Sequence, residues 1–262
     1  MDNITVAQQQ FLLRHRRHKR KVVIYRFLLL IGFLVLWEGT ARLGILNDFI
    51  FSSPSRILKC FTDMAVDGSI FVHIGVTLGE TLVSFLFVVA VGLLAALLLW
   101  YNKSIAEVAE PYLVMLNSLP KSALAPLLIV WLGNNVRTII VAAVSVAVFG
   151  SIITLYTGFS ETDPDKVKLI YSLGGTKKDV LLKVMLPGSV PQIISNMKVN
   201  IGLCLVGVII GEFLAANKGL GYLIIYGSQV FKMDLVVMSI VILCIVSAVL
   251  YQGIAMLEQK IK

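Results

Sequence analysis

Three ionisable side chains, Glu80, Lys121 and Glu212, stand in or beside long apolar stretches of the chain. A charge held in an apolar span is costly and faces a partner, a cavity or a path. These positions are therefore where solute handling or a proton relay would be sought. Lys121, in Leu119-Pro120-Lys121-Ser122, could line an anion path. It could equally snorkel, or pair with a carboxylate, at the edge of a helix broken by Pro120 and Pro126. Glu212 could pair across a dimer, form part of an outer gate, or serve as partner to a nearby backbone or basic group. Glu80 reads as interfacial. No His/Asp/Glu set has metal-ligand spacing, and no nucleophile stands beside a base. Cys60, Cys204 and Cys244 form neither a CxxC nor a disulfide framework. The stretch nearest to a phosphate loop, Gly174-Gly175-Thr176-Lys177-Lys178, lacks the G-x-x-x-x-G-K-[ST] spacing and follows no strand. No catalytic residue, bound metal or cofactor is expected. An ion-coupled transporter remains an alternative, with only Glu80, Lys121 and Glu212 to serve as its relay.

The elements that hold these residues follow from composition. The chain has 262 residues, 58% hydrophobic and only 15% charged, with a mean hydropathy of +0.89. Soluble domains carry about 25% charge, so a soluble enzyme is excluded and a polytopic membrane protein is expected. A crossing needs about 20 apolar residues. Charge-free stretches at 81–102, 138–160 and 235–257 meet that need. Stretches at 22–41 (with Arg26 and Glu38), 111–136 (with Lys121) and 199–216 (with Glu212) bring the expectation to six spans. The first reads as a retained helix rather than a cleaved signal. With the N-terminal tail on the cytoplasmic side, that side collects sixteen of the 23 Lys and Arg, the opposite side six, and Lys121 stays within a span. The bias places both termini inside. No basic stripe is interleaved with aromatics, so nucleic acid is not a partner, and the run at 14–21 suits anionic lipid. Gly207-x-x-x-Gly211 permits close helix approach, and Trp100 and Trp131 fit an interfacial belt. The organisation is a basic tail (1–21), a first span with its external loop (22–70), a five-helix core (71–257) and a short tail (258–262).

One connection is more than a linker. Within 161–187, Asp163 is an N-cap with Pro164 at the first helical position. Val167, Ile170 and Tyr171 share one helical face, and Gly174-Gly175 supplies a stop. Thr176 and Asp179 open a second helix in capping-box spacing. Val180, Leu181 and Val184 follow, and Pro187 and Pro191 are expected to close it. Such a helix–glycine turn–helix could lie on the bilayer, cover the inner face of the protein, or dock another protein.

These residues also carry a family resemblance. Lys168-Leu169-Ile170, three residues, Gly174, nine residues, Val184-Met185-Leu186-Pro187 resembles the EAA loop of binding-protein-dependent ABC importer permeases. That loop reads Glu-Ala-Ala, three residues, Gly, nine residues, Ile-x-Leu-Pro. The spacing is kept, Val184 replaces Ile, and the Glu-Ala-Ala itself is replaced. The stretches Leu119 to Gly133, Phe51-Ser-Ser-Pro-Ser-Arg56, Glu212 to Ile224 and Trp37-Glu38 resemble the nitrate/sulfonate/taurine branch, which usually has a basic residue near the position of Glu80. The resemblance implies an all-α fold of six transmembrane helices, type I importer-like, with a cytoplasmic coupling loop. It implies a bacterial inner-membrane permease, paired as a homodimer, that is not an enzyme. Cytoplasmic ATPases would bind the ATP and dock through Asp163, Pro164, Val167, Lys168, Leu169, Ile170, Gly174, Gly175, Val184, Leu186 and Pro187. An extracytoplasmic binding protein would deliver a small solute, an anion such as nitrate, sulfonate or taurine, or alternatively a thiamine-precursor pyrimidine. Lys121 and Glu212 would then be candidates for the path or gate.

Overall fold

Proline, glycine and asparagine set the helix boundaries of a chain whose segments are otherwise apolar enough to be helical throughout. A computed structural model describes residues 6–45 and 47–261. Residues 1–5 of the basic tail and Lys262 of the short C-terminal tail lie outside the described residues. The elements are α1 (Val6–Arg42), α2 (Asp48–Phe51), α3 (Pro54–Val66), α4 (Ser69–Tyr101), α5 (Lys103–Ser118) and α6 (Lys121–Leu132). They continue with α7 (Val136–Ser160), α8 (Pro164–Ser172), α9 (Lys177–Val180), a π-helical turn (Leu181–Met185), α10 (Leu186–Ala215), α11 (Leu220–Gln229) and α12 (Met233–Ile261). The fold is all-α and multi-pass. Five described helices are long and apolar enough to cross a membrane, and a bent pair, α5 with α6, makes a sixth if counted as one span.

That pair is where the third expected span breaks, by 94°. Pro120 brings no N–H, and the residue before a proline is driven out of the helical region. Leu119 accordingly has ψ 137. The other spans are longer than their apolar cores: α4 begins at Ser69 rather than near residue 81. Two short helices in the connection after the first span, α2 and α3, and one before the last span, α11, were not expected.

Pro187 and Pro191 do not close the second helix of the loop. The chain stays helical from Lys177 to Ala215. The π turn explains the passage through Pro187. In it the Leu186 N–H reaches back five residues to the Leu181 carbonyl. The wider turn carries the ladder past a residue that has no N–H to give. The second half of the loop, from Lys177 onward, is therefore continuous with α10.

The centre of the molecule is a trio, α4, α7 and α10, closed by small residues. A Cβ on Gly207 would stand 2.6 Å from Ala143 Cα, and one on Gly211 2.9 Å from Ile139 Cα. The expected Gly207-x-x-x-Gly211 thus serves the α7–α10 seam within one chain. Further along the seam, Asn196 and Asn200 each donate a side-chain N–H to Ser151 Oγ, at 2.8 and 2.9 Å. Between apolar helices in lipid, such pairs are the specific contacts. A second apolar cluster joins α3, α11 and α12 to this trio, and Lys198 of α10 pairs with Glu258 of α12. The side chains of α1 from Val23 to Leu36 are largely exposed, as suits a helix that meets lipid.

Candidate functional site

The loop element is built from local chemistry. Asp163 Oδ1 accepts the Asp165 N–H at 3.0 Å, with Pro164 opening α8. The end of α8 is a Schellman motif: Gly175 N–H donates to the Ile170 carbonyl at 2.9 Å and Gly174 N–H to that of Tyr171 at 3.0 Å. Gly174 takes the left-handed conformation, φ +79. Gly175 is needed for a different reason. A Cβ there would meet the Ile170 carbonyl oxygen at 2.8 Å and its Cγ2 at 2.5 Å. Thr176 then donates its N–H and hydroxyl to Asp179 Oδ2, at 2.8 and 2.7 Å.

Burial divides the element in two. Val180 and Met185 are buried, and Leu181 and Leu186 pack with Trp100 against a core of Ala96, Leu155, Phe159 and Met185. Val184 is half-buried and Pro187 exposed. On α8, by contrast, no residue is buried. Val167 and Ile170 are half-buried, whereas Leu169, Tyr171 and Leu173 are 58%, 50% and 75% exposed. Lys168 is exposed and pairs with Asp165 at 3.3 Å. One half of the loop is an anchor and the other an apolar projection.

Glu212 lies at the opposite end of the bundle, fully buried. Its carboxyl accepts the Thr77 hydroxyl at 2.7 Å and the Gly221 N–H at 2.6 Å. Thr77 Oγ1 in turn accepts the Leu220 N–H at 2.8 Å. Nearby, His73 Nδ1 lies 3.0 Å from Gly219 N. The carboxyl thus sits on the N-terminus of α11, where free N–H groups and the helix dipole favour an acid. The spacing of Glu212, Gly219 and Gly221 now has a cause. A Cβ on Gly219, itself at φ +117, would run into the Glu212 carboxyl, and one on Gly221 would stand 2.7 Å from its Oε2. Of the roles open to Glu212, the geometry is that of a partner to nearby backbone.

Glu80, read as interfacial, is buried within the protein: it is 6% exposed, on the face of α4 turned to α10, beside the Glu212 carboxyl. Sequence placed it near a span end because the charge-free stretch begins at 81. In the structure α4 has already run three turns by then. Glu80 lines a crevice with Asn134, Asn135, Asn217 and Lys218.

Lys121 bridges the broken span. Its ammonium donates to the carbonyls of Leu116 and, at 3.2 Å, of Asn117, both in the last turn of α5, and lies 5.4 Å from the Phe149 ring centre. Its partners are carbonyls freed by the break, not a carboxylate. Phe51-Ser-Ser-Pro-Ser-Arg56 likewise makes a clasp. Asp234, in the first turn of α12, accepts from Ser52 Oγ at 2.7 Å and from Arg56 Nη2 at 2.9 Å. Glu38 accepts from the N–H of Ser55 at 3.1 Å and from its hydroxyl at 3.0 Å. Thr77 and Asp234 were not singled out by sequence, and His73, expected outside the spans, lies within α4, which is long and apolar enough to cross a membrane. Only Asp234, an acid opening a helix, had a visible signal. Among the described residues no group of three or more His, Cys, Asp or Glu could hold a metal.

Residues 88–262 match the family model described as "Binding-protein-dependent transport system inner membrane component". A probable ABC transporter permease protein of Haemophilus influenzae is 31% identical over 89% of this chain and 95% of its own length. The formylaminopyrimidine transport permease ThiX of Halalkalibacterium halodurans is 28% identical over 72% of this chain and 75% of its own length. The taurine transport permease TauC of Escherichia coli is 20% identical over 87% and 85%. Among solved structures, the inward-facing methionine ABC transporter MetNI gives a TM-score of 0.65 at 16% identity, over 76% of this chain and 98% of that one. The fold, the loop element and this match together make the chain a member of the family of inner-membrane permease components of binding-protein-dependent ABC transport systems.

Proposed function

We propose that the chain is the membrane subunit of an ATP-driven importer, whose cytoplasmic ATPases dock on the 161–187 element. The observation that supports this most is the division of that element. Leu169 and Tyr171, on a helix with no buried residue, and Leu173 at its C-cap are exposed, while the other half is continuous with α10. Exposed apolar residues on a rigid mount suit a protein partner better than a soluble surface does. Asp163, Pro164, Val167, Lys168, Leu169, Ile170, Gly174 and Gly175 form the docking half, and Val184, Leu186 and Pro187 the transmitting half. Closure of the paired ATPases displaces α8, and the continuous helix carries the displacement into the span. Both termini face the cytoplasm, two copies of the chain enclose the path, and a binding protein delivers solute from outside.

The solute is a small polar molecule, and the branch resemblance favours an anion such as nitrate, a sulfonate or taurine. The similarity to a permease named for formylaminopyrimidine transport favours a pyrimidine as the second reading. The test is reconstitution in proteoliposomes with the cognate ATPase and binding protein. The chain alone should hydrolyse no ATP, and uptake should require all three components. Hydrolysis by the pure chain, or uptake without the ATPase, would refute the assignment.

A further inference from the structure

Lys177 differs from the lysines around it. Lys166, Lys168 and Lys183 pair with carboxylates of their own element, at 3.9, 3.3 and 2.8 Å. Lys177, the first residue of α9, instead reaches 76 positions back in the chain. Its ammonium donates to the Tyr101 carbonyl at 2.8 Å. It also lies over two rings, 5.6 Å from the centre of Trp100 and 5.2 Å from that of Tyr101.

The contact has three physical components. Tyr101 is the last residue of α4, and the carbonyls of a last helical turn have no partner within the helix. A cation at that end meets the negative pole of the helix dipole. Two aromatic faces add cation–π attraction to the same ammonium. The position struck is also mechanically singular, because one residue, Asn102, separates α4 from α5. Asn102 gives its N–H to the Leu98 carbonyl at 3.0 Å and accepts the Ile105 N–H on its side chain at 3.3 Å. It therefore caps both helices. Beneath this point, Trp100 packs in the same apolar cluster as Leu181, Met185 and Leu186.

We propose that Lys177 is a positioning residue that latches the loop element to the α4–α5 joint. Displacement of the loop then reaches α4 and α5 as well as α10. The joint leads through α5 to the break at Leu119-Pro120, so the latch links the loop to the one broken span among the described residues. The proposal rests on the reading of the loop as the ATPase dock.

The test compares wild type with Lys177→Met and Lys177→Arg in proteoliposomes holding the complete complex. Solute imported per ATP hydrolysed is the readout. A purely structural role would lower abundance, not this ratio. Methionine keeps the apolar stem and removes the charge and the donor. Arginine keeps all three contacts. Lys177→Met should lower the ratio by about fivefold or more, with membrane abundance and ATPase co-purification near wild type. Lys177→Arg should restore it. An unchanged ratio in Lys177→Met overturns the latch, as does uptake falling in step with hydrolysis. A wild-type chain that captures no ATPase overturns the docking reading itself, so the two failures are distinct.

Discussion

Gly174 and Gly175 stand side by side, yet substitution should fail at each for a different reason, and the difference can be measured. At Gly174 a Cβ would meet nothing within 4 Å, but φ is +79. The cost of a side chain there is torsional: about 1–2 kcal/mol for alanine and up to about 3 kcal/mol for valine. The element can escape that strain by letting α8 splay from α9, which would forfeit the two Schellman hydrogen bonds but little buried area, since α8 buries no residue. The bundle should therefore stay folded while the docking surface is lost. At about 1.4 kcal/mol per factor of about ten, capture of the cognate ATPase should weaken by about five- to hundredfold in Gly174→Val. Asparagine tolerates the left-handed region better than other non-glycine residues, so Gly174→Asn should recover most of the affinity. At Gly175 the obstacle is the Ile170 carbonyl, 2.8 Å from a Cβ, so Gly175→Ala should weaken capture and Gly175→Asn should not rescue it. The assay is equilibrium binding of the ATPase to detergent-solubilised permease, with membrane abundance and uptake measured in parallel. If Gly174→Asn proved as defective as Gly174→Val, or Gly174→Val bound normally, the torsional argument would be wrong.

Other expectations concern the remaining residues. Reporter fusions at Asn102 and Asp179 should read cytoplasmic and those at Asp67 and Asn217 external; a cytoplasmic reading at Asn217 would undo the span count. Glu212→Ala strands the Gly221 N–H and the Thr77 hydroxyl, each worth about 1–3 kcal/mol when left unpaired in the interior. Its thermal midpoint in detergent should drop well below that of Glu212→Gln, which keeps acceptors in place, and equal midpoints would contradict the account. Lys121→Met uncaps the Leu116 and Asn117 carbonyls, so it should lower stability by about 0.5–2 kcal/mol while uptake per folded molecule stays within about twofold. Loss of uptake at normal stability would restore Lys121 to the path.

What could be read from the chain was local. Asp163-Pro164, Gly174 and the Thr176–Asp179 pair lie within one or two turns of what they contact, and the structure places each at the predicted cap or turn. The span cores were legible because apolar runs leave few alternatives. Contacts between distant segments were not. Nothing near Thr77 announces that its hydroxyl bridges Glu212 and Leu220, 135 and 143 positions away. The burial of Glu80 was hidden for the same reason: it is set by α10, not by its own neighbours. Pro187 misled in another way. Proline is a fair stop signal when the helix keeps its α register, and here a π turn changes the register just before it.

The seam between α7 and α10 limits what kind of motion the bundle can perform. Gly207 and Gly211 bring α10 almost onto the backbone of Ala143 and Ile139, where even a Cβ would not fit. Sliding α10 along α7 would carry the glycines off Ala143 and Ile139 and bring side chains of the neighbouring turns, about 5.4 Å away along the axis, toward the space that only glycine fits. It would also pull Asn196 and Asn200 off Ser151. The seam therefore resists shear. Because α7 feeds the 161–187 element and α10 leaves it, both arms of that element are bonded to one stiff girder. A force applied there turns the girder as a whole, and whatever yields must lie outside it.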